Sequence, residues 1–224
     1  MSEPPKTRDA LSRERILTAA IELADAEGLS AISMRRLAAS LNVEAMSLYY
    51  HVRNKDDLLG AMLERVLGDL ELPFPETSWK DALRSISLSA HAVLERHRWA
   101  AHVLMTPAAS SQTRNRWMES VLASLAAAGL PPGLADHAYH ALDSYVIGFT
   151  LWQSSIQLSE TDLEALAREY LASLPIDQLP HTAAHVRWHL ERPGGEGPRA
   201  FESGLDMFLD GLELAREHSA PTGP

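Results

Sequence analysis

Apolar residues in this 224-residue chain recur at intervals of three and four along nearly its whole length, and no stretch alternates as a strand would. A period of 3.6 residues collects such positions on one face of an α-helix, whereas a pleated strand repeats every two. The pattern predicts an all-α protein. The first helix starts near Ser12, whose hydroxyl can cap it, and carries Ile16, Ala19, Ala20, Leu23 and Ala24 on one face until Gly28. Ser33 opens a short second helix with Met34, Leu37, Ala38 and Leu41 inward. "LNV" at 41–43 then breaks the pattern briefly before "EAMSLYYH" resumes it. Two short helices joined by so tight a turn are a helix-turn-helix signature, although the same periodicity also fits two helices packed only to form a core.

Asn54 can cap the run "KDDLLGAMLERVLGDLEL", with Asp56 and Asp57 in its first turn, where the helix dipole favours negative charge. Leu58, Leu59, Met62, Leu63, Val66, Leu67 and Leu70 cover more than one narrow face, so this helix is expected to touch both parts of the molecule. Further helices are predicted over roughly 78–97, 99–105, 111–128, 132–157 and 160–173, followed by one containing "HTAAHVRWHL". The breaks fall at "PFPET", "TPAASS", "AGLPPG" and "LPIDQLP", and "RPGGEGP" at 192–198 reads as loop. A last helix carries Phe201, Leu205, Phe208, Leu209 and Leu212 and ends before "HSAPTGP".

Charge narrows the function classes. Acids outnumber bases by 30 to 20, which by itself argues against a nucleic-acid partner, since phosphate binding rests on Lys and Arg displacing counterions. The imbalance is not uniform. Residues 1–60 hold 8 bases and 9 acids, net −1, and the remaining 12 and 21 give net −9 to residues 61–224. The amino-terminal part therefore keeps room for a local cationic surface. Cysteine is absent, so no disulfide, thiolate metal site or cysteine nucleophile is available, and a reducing cytoplasm suits the chain. No apolar stretch reaches signal-peptide or membrane-span length, so neither export nor a membrane partner is expected.

If Val43 and Leu48 face the core, Ala45, Met46, Ser47 and Tyr49 point away from it and form a slim surface that fits a major groove about 12 Å wide. Tyrosine hydroxyls at 49 and 50, His51, Ser33 and the helix start at Asn54 with Lys55 are donors suited to the flanking phosphates. Residues 12–67, with "ILTAAIELADAEGLSAISMRRLAASLNVEAMSLYYHVRNKDDLLGAML", resemble the amino-terminal domain of the tetracycline-repressor (TetR) family of transcriptional regulators. The resemblance implies backbone contacts for Ser33, Tyr49, Tyr50, His51 and Lys55, and base-facing positions for Arg35, Ala45, Met46 and Ser47. An arginine at 35 could read guanine bidentately.

More loosely, "HRWAAHVL", "DSYVIGFTLWQ" and "AFESGLDMFLDGLEL" resemble the family's carboxy-terminal domain. That implies a helix-turn-helix domain over 10–56, a helical effector-binding and dimerisation domain over 57–217, and flexible tails at 1–9 and 218–224. It also implies a four-helix dimer seam, for which Tyr139, Leu142, Tyr145, Phe149, Leu205, Phe208, Leu209 and Leu212 are candidates, intramolecular core being the alternative. Leu104, Glu71 and Ile86 fall where the tetracycline repressor places its metal-binding histidine and two polar drug contacts, which argues against tetracycline as effector. Trp99, Met105, Trp117, Phe149 and Trp152 could line an apolar cavity with Gln153 and His102 as polar handles, or each could simply be core.

His181, His185 and His189 recur every fourth residue and raise the alternative of a metal-responsive regulator. The outer pair is about 12 Å apart along a helix, however, so one ion bridges only neighbours. No metal or other cofactor is expected. No G-x-S-x-G or H-E-x-x-H occurs, and "GGEG" follows no strand, so an all-helical enzyme or a plain interaction module has little support. The expectation is a ligand-responsive homodimer that represses from a palindromic operator in double-stranded DNA and is released by a small apolar or amphipathic molecule.

Overall fold

The computed structural model describes residues 10–73, 77–109, 112–155, 160–192 and 197–219. Among them are eleven α-helices and no strand. The first four are α1 (Arg13–Glu27), α2 (Met34–Ser40), α3 (Ala45–Leu48) and α4 (Lys55–Leu67). They start where the local chemistry demands. Ser12 accepts from the Arg15 amide, Ser33 from Arg36 and Asn54 from Asp57, each satisfying an N–H with no partner inside its helix. Gly28 ends α1 at φ +80°. The turn between α2 and α3 needs another residue at positive φ, and Asn42 supplies it at +58°. Asparagine enters this left-handed region more readily than other side chains with a Cβ.

The remaining helices are α5 (Trp79–Arg96), α6 (Arg98–Leu104), α7 (Gln112–Ala127), α8 (Pro132–Ser155), α9 (Glu160–Ser173), α10 (Pro180–Leu190) and α11 (Gly197–Ser219). His97, with non-helical φ −120° and ψ 64°, alone separates α5 from α6. α5 packs against α6, α7, α8 and α11, while α9 and α10 pack on each other. Gly204 lets α11 come close to α8, since a Cβ there would lie 2.3 Å from the Tyr145 hydroxyl.

α4 occupies the middle. Leu58, Leu59, Met62, Leu63, Val66 and Leu67 are all buried, and the helix touches α1 on one side and α5, α6 and α7 on the other. One hydrophobic cluster therefore runs without interruption from Ile16 and Leu37 through Leu63 to Leu94, Val146 and Leu209. At roughly 2 kcal/mol for each large apolar side chain removed from water, α4 alone contributes on the order of 10 kcal/mol of gross transfer free energy.

Three boundaries differ from the sequence-based expectation. α4 stops at Leu67, short of Leu72; Gly68 follows it, and the Glu71 amide donates to Ser89 Oγ at 2.8 Å instead of continuing the helix. α11 begins at Gly197, inside the stretch read as loop, because proline is tolerated in the first turn of a helix, where its missing N–H has no partner to lose. The same helix runs on through Ser219, two residues into the segment read as a tail. Residues 1–9, 156–157, 193–196 and 220–224, assigned in turn to a tail, a helix end, a loop and a tail, lie outside the described residues.

The turn geometry yields a stability prediction. Asn42→Gly should leave the thermal midpoint unchanged or slightly raised, whereas Asn42→Val, which places a β-branched residue at positive φ, should cost about 1–3 kcal/mol in denaturant unfolding. Equal stability of the two variants would remove the strained turn from the account.

Candidate nucleic-acid interface and effector domain

The surface built by α2, α3 and the start of α4 follows from how the short helices are pinned. Leu48 is fully buried beneath α3, and Val43 and Ala45 pack in part against the same core. That turns Met46, 70% exposed, and Tyr50, 88% exposed, outward beside a half-exposed Tyr49. Ser47 and His51 are half-buried. Ala45 is thus less outward-facing than its position suggests, because α3 is a single turn and its first residue still leans on the core. Arg13 of α1 locks the far end: its guanidinium donates to the His51 carbonyl at 2.7 Å and lies 3.6 Å from Asp57.

Most cations in this part are committed to internal partners. Arg36 pairs with Glu27, Arg65 lies 3.7 Å from Glu14, and Arg53 reaches Asp57 at 3.5 Å. Asp57 also accepts from the Arg53 backbone amide at 2.9 Å, and this hydrogen bond, with the nearby Arg13 and Arg53 charges, holds its carboxyl below the usual carboxylate range. A depressed pKa means that this stabilisation stands above the unfolded carboxylate value and fades as pH falls through the folded one. Arg35 and Lys55 differ. Both are exposed, and neither has an ion pair or side-chain hydrogen bond among the described residues.

Two polar contacts fasten this part to the bundle. Asp25 of α1 accepts from Trp99 Nε1 of α6 at 2.7 Å and from His97 Nδ1 at 2.9 Å. Glu64 of α4 accepts from the Thr113 amide and hydroxyl at the start of α7, at 3.1 Å and 2.5 Å.

Of the candidate cavity residues, Phe149 and Trp152 meet with ring centroids 5.6 Å apart and Gln153 follows on the same helix, while Trp99, His102, Met105 and Trp117 lie on other helices or their ends. Trp99 is buried against Asp25 at the junction, while Met105 at the end of α6 is 69% exposed and His102 is exposed too. Trp117 is buried under the Arg114 guanidinium, 4.4 Å from its ring, and Arg114 pairs with Asp143 at 2.7 Å. Phe149 and Gln153 are half-buried on α8, with Trp152 exposed beside them. A surface groove of about 530 Å³ lies elsewhere, lined by Asp69, Glu71, Arg84, Ser85, Leu88 and Arg96 among others, and its arginines already pair with Glu202, Asp206 and Asp69.

Five of the eight candidate seam residues are buried within the single chain and three are half-buried. Leu142, Leu205, Leu209, Leu212 and Tyr139 are buried within the single chain, and Tyr145 and Phe149 pack around Phe201, with Phe208 half-buried. The outer faces of the same two helices carry Ala141, Ser144, Gly148 and Trp152 on α8, and Met207, Gly211 and Leu214 on α11. Met207 is 73% and Leu214 57% exposed, and a Cβ at Gly148 or Gly211 would meet nothing within 4 Å.

His181, His185 and His189 lie exposed along α10, the rings of the last two 4.6 Å apart. Among the described residues no three His, Cys, Asp or Glu side chains converge as a metal site would require. Among those residues, too, no helix is long and apolar enough to cross a membrane.

Comparison with known proteins agrees with this arrangement in both halves. Residues 16–62 match the family described as bacterial regulatory proteins, tetR family, and residues 72–216 match the tetracyclin repressor-like C-terminal domain. An HTH-type transcriptional regulator of Saccharopolyspora erythraea is 39% identical over 92% of this chain and 86% of its own length. The HTH-type transcriptional repressor DrrR1 of Streptomyces coeruleorubidus is 32% identical over 96% and 83%. The crystal structure of apo ActR from Streptomyces coelicolor superposes with a TM-score of 0.77 at 30% identity, covering 94% of this chain and 98% of that one, and the same protein has been solved with actinorhodin.

The junction generates the second prediction. Asp25→Ala leaves the buried Trp99 N–H without its acceptor, so unfolding free energy should drop by about 1–3 kcal/mol. The Trp99 indole proton should also exchange faster with solvent. An unchanged exchange rate would show that Asp25 does not hold it.

Proposed function

The chain belongs to the TetR family of bacterial regulatory proteins, and on that premise we propose that it is a homodimeric DNA-binding repressor released by a small apolar or amphipathic effector. The observation that carries this reading is the outward face of Met46, Tyr49 and Tyr50 flanked by Arg35 and Lys55, cations with no ion pair among the described residues. In the proposed division, residues 10–56 read DNA and 57–217 bind effector and dimerise.

Each exposed group has a role in a groove. The slim face around Met46 and Ser47 enters between the sugar-phosphate ridges, and Arg35 addresses a base edge. Ser33, Tyr49, Tyr50, His51 and Lys55 hold the flanking phosphates, with the free N–H groups at the start of α4 adding a further anion site. Two copies related by a two-fold axis read two half-sites about 34–36 Å apart, one helical turn. The seam is assigned to the outward faces of α8 and α11. Ala141, Ser144, Gly148 and Gly211 permit close approach of a second copy, and Met207 and Leu214 supply apolar area that one chain leaves exposed.

Support for an effector comes from ActR, which has been solved with actinorhodin, and support for repression from the name of DrrR1. A ligand shifts such an equilibrium only through unequal affinity for two conformations. Displacement of α6 acts on the DNA-reading part through Asp25 and through the shared core of α4. Gene regulation by this route needs no covalent chemistry.

Titration of labelled duplexes over a salt series separates the roles. Lys55→Ala should weaken binding to every sequence and lower the slope of log affinity against log salt by about one unit. Arg35→Ala should instead relax preference at one base pair, a loss of about 1–3 kcal/mol at that pair. Met207→Glu with Leu214→Glu should yield monomer in sedimentation; an intact dimer would move the seam elsewhere.

A further inference from the structure

The chain has no cysteine, so its sulfur chemistry rests on seven methionines. Met1 lies outside the described residues. Exposure divides the other six: Met62 is fully buried in α4 and Met34 half-buried at the start of α2, while Met46, Met105, Met118 and Met207 reach solvent. A thioether is oxidised where an oxidant can touch it, so these four react first.

Met46 stands apart from the other three by position. It lies on the outward face of α3, beside Ser47 and the exposed Tyr49 and Tyr50, whereas Met105 follows α6, Met118 lies on α7 and Met207 on α11. Its backbone belongs to the fold, since its carbonyl accepts from the Tyr49 amide at 3.2 Å. Its side chain does not: Val43, Ala45 and Leu48 pack on the hydrophobic core, and Met46 extends away from it, 70% exposed. A polar oxygen on that sulfur therefore changes the face without opening a cavity or burying a polar group inside the protein.

We propose that Met46 is an oxidation site, and that conversion of its thioether to the sulfoxide by a peroxide weakens the protein's hold on DNA. The proposal rests on the DNA-binding reading above and adds a covalent input to it. The sulfur lone pair attacks one peroxide oxygen, the O–O bond breaks as the S–O bond forms, and after proton transfer the other oxygen leaves as water. Sulfur is oxidised by two electrons and the peroxide is reduced by the same two. A thioether suits the thymine methyl and the close apolar contacts of a major groove. The sulfoxide oxygen only accepts hydrogen bonds. Guanine presents acceptors alone, thymine an acceptor and a methyl group, adenine an acceptor and a donor, and only cytosine a donor by itself, while the flanking phosphates are acceptors too. The added oxygen thus gives up water and meets mostly its own kind.

The test treats full-length protein with hydrogen peroxide, reads sulfoxide at each methionine by peptide mass spectrometry and measures affinity for a selected duplex by titration. In the wild type, sulfoxide at Met46 should weaken binding about tenfold, and methionine sulfoxide reductases should restore it. Met46→Leu carries no sulfur at that position. Whatever its own affinity, peroxide should leave that affinity unchanged, which separates Met46 from Met105, Met118 and Met207. Bound duplex should slow oxidation of Met46 in the wild type but not of Met105, a readout that needs no variant. Unweakened binding by wild type oxidised at Met46, an equal loss in Met46→Leu, or oxidation of Met46 at the same rate with and without duplex would each overturn the proposal. Untreated protein that selects no duplex contradicts the DNA-binding reading first and takes this proposal with it.

Discussion

α4 is apolar around too much of its circumference to be left uncovered on either side, and that constraint organises the molecule. Leu58, Leu59, Met62, Leu63, Val66 and Leu67 demand partners in two directions, so the helix-turn-helix and the bundle are two walls of one core. A closely packed interior does not deform continuously, and displacement of one wall is passed to the other. The polar fastenings follow the same route: Asp25 with Trp99 and His97 joins α1 to α6, and Glu64 with Thr113 joins α4 to α7. A ligand among the helices of the bundle therefore has a mechanical path to the Met46 face without touching it.

The second organising fact is how an acidic chain keeps a surface for a polyanion. Net charge −10 is concentrated after residue 60, and three of the early cations are spent in holding the small helices together. Arg13 braces the His51 carbonyl and Asp57, while Arg36 and Arg53 meet Glu27 and Asp57. These pairs fix the attitude of α3 at the expense of reach toward phosphate. What is left for the duplex is a few free charges, hydroxyl groups and helix-terminal amides, a set that favours geometric fit over bulk attraction.

Much of this was readable from local chemistry. Ser12, Ser33 and Asn54 act within three residues of themselves, so their capping roles depend on nothing distant. The tight turn at 41–43 was visible as a break in period, although its positive φ at Asn42 was not. Long-range pairing was harder to read. Apolar periodicity marks a face that must be covered but not by what, and Leu142, Leu205, Leu209 and Leu212 proved to be covered by their own chain. The faces left open on α8 and α11 mix the small residues Ala141, Ser144, Gly148 and Gly211 with Trp152, Met207 and Leu214, a pattern that apolar periodicity does not separate from the buried side of the same helices. Asp25 carries no local motif that marks it. Its importance lies in a partner 74 residues away.

The claim beneath all of this is that the slim helical face around Met46 reads DNA as a two-fold pair. Selection of bound fragments from a randomised duplex pool at low ionic strength tests it most directly. The account predicts an enriched inverted repeat whose half-sites are centred about 10 base pairs apart. Recovery of no preferred sequence, or of a single half-site with no symmetric mate, would contradict it.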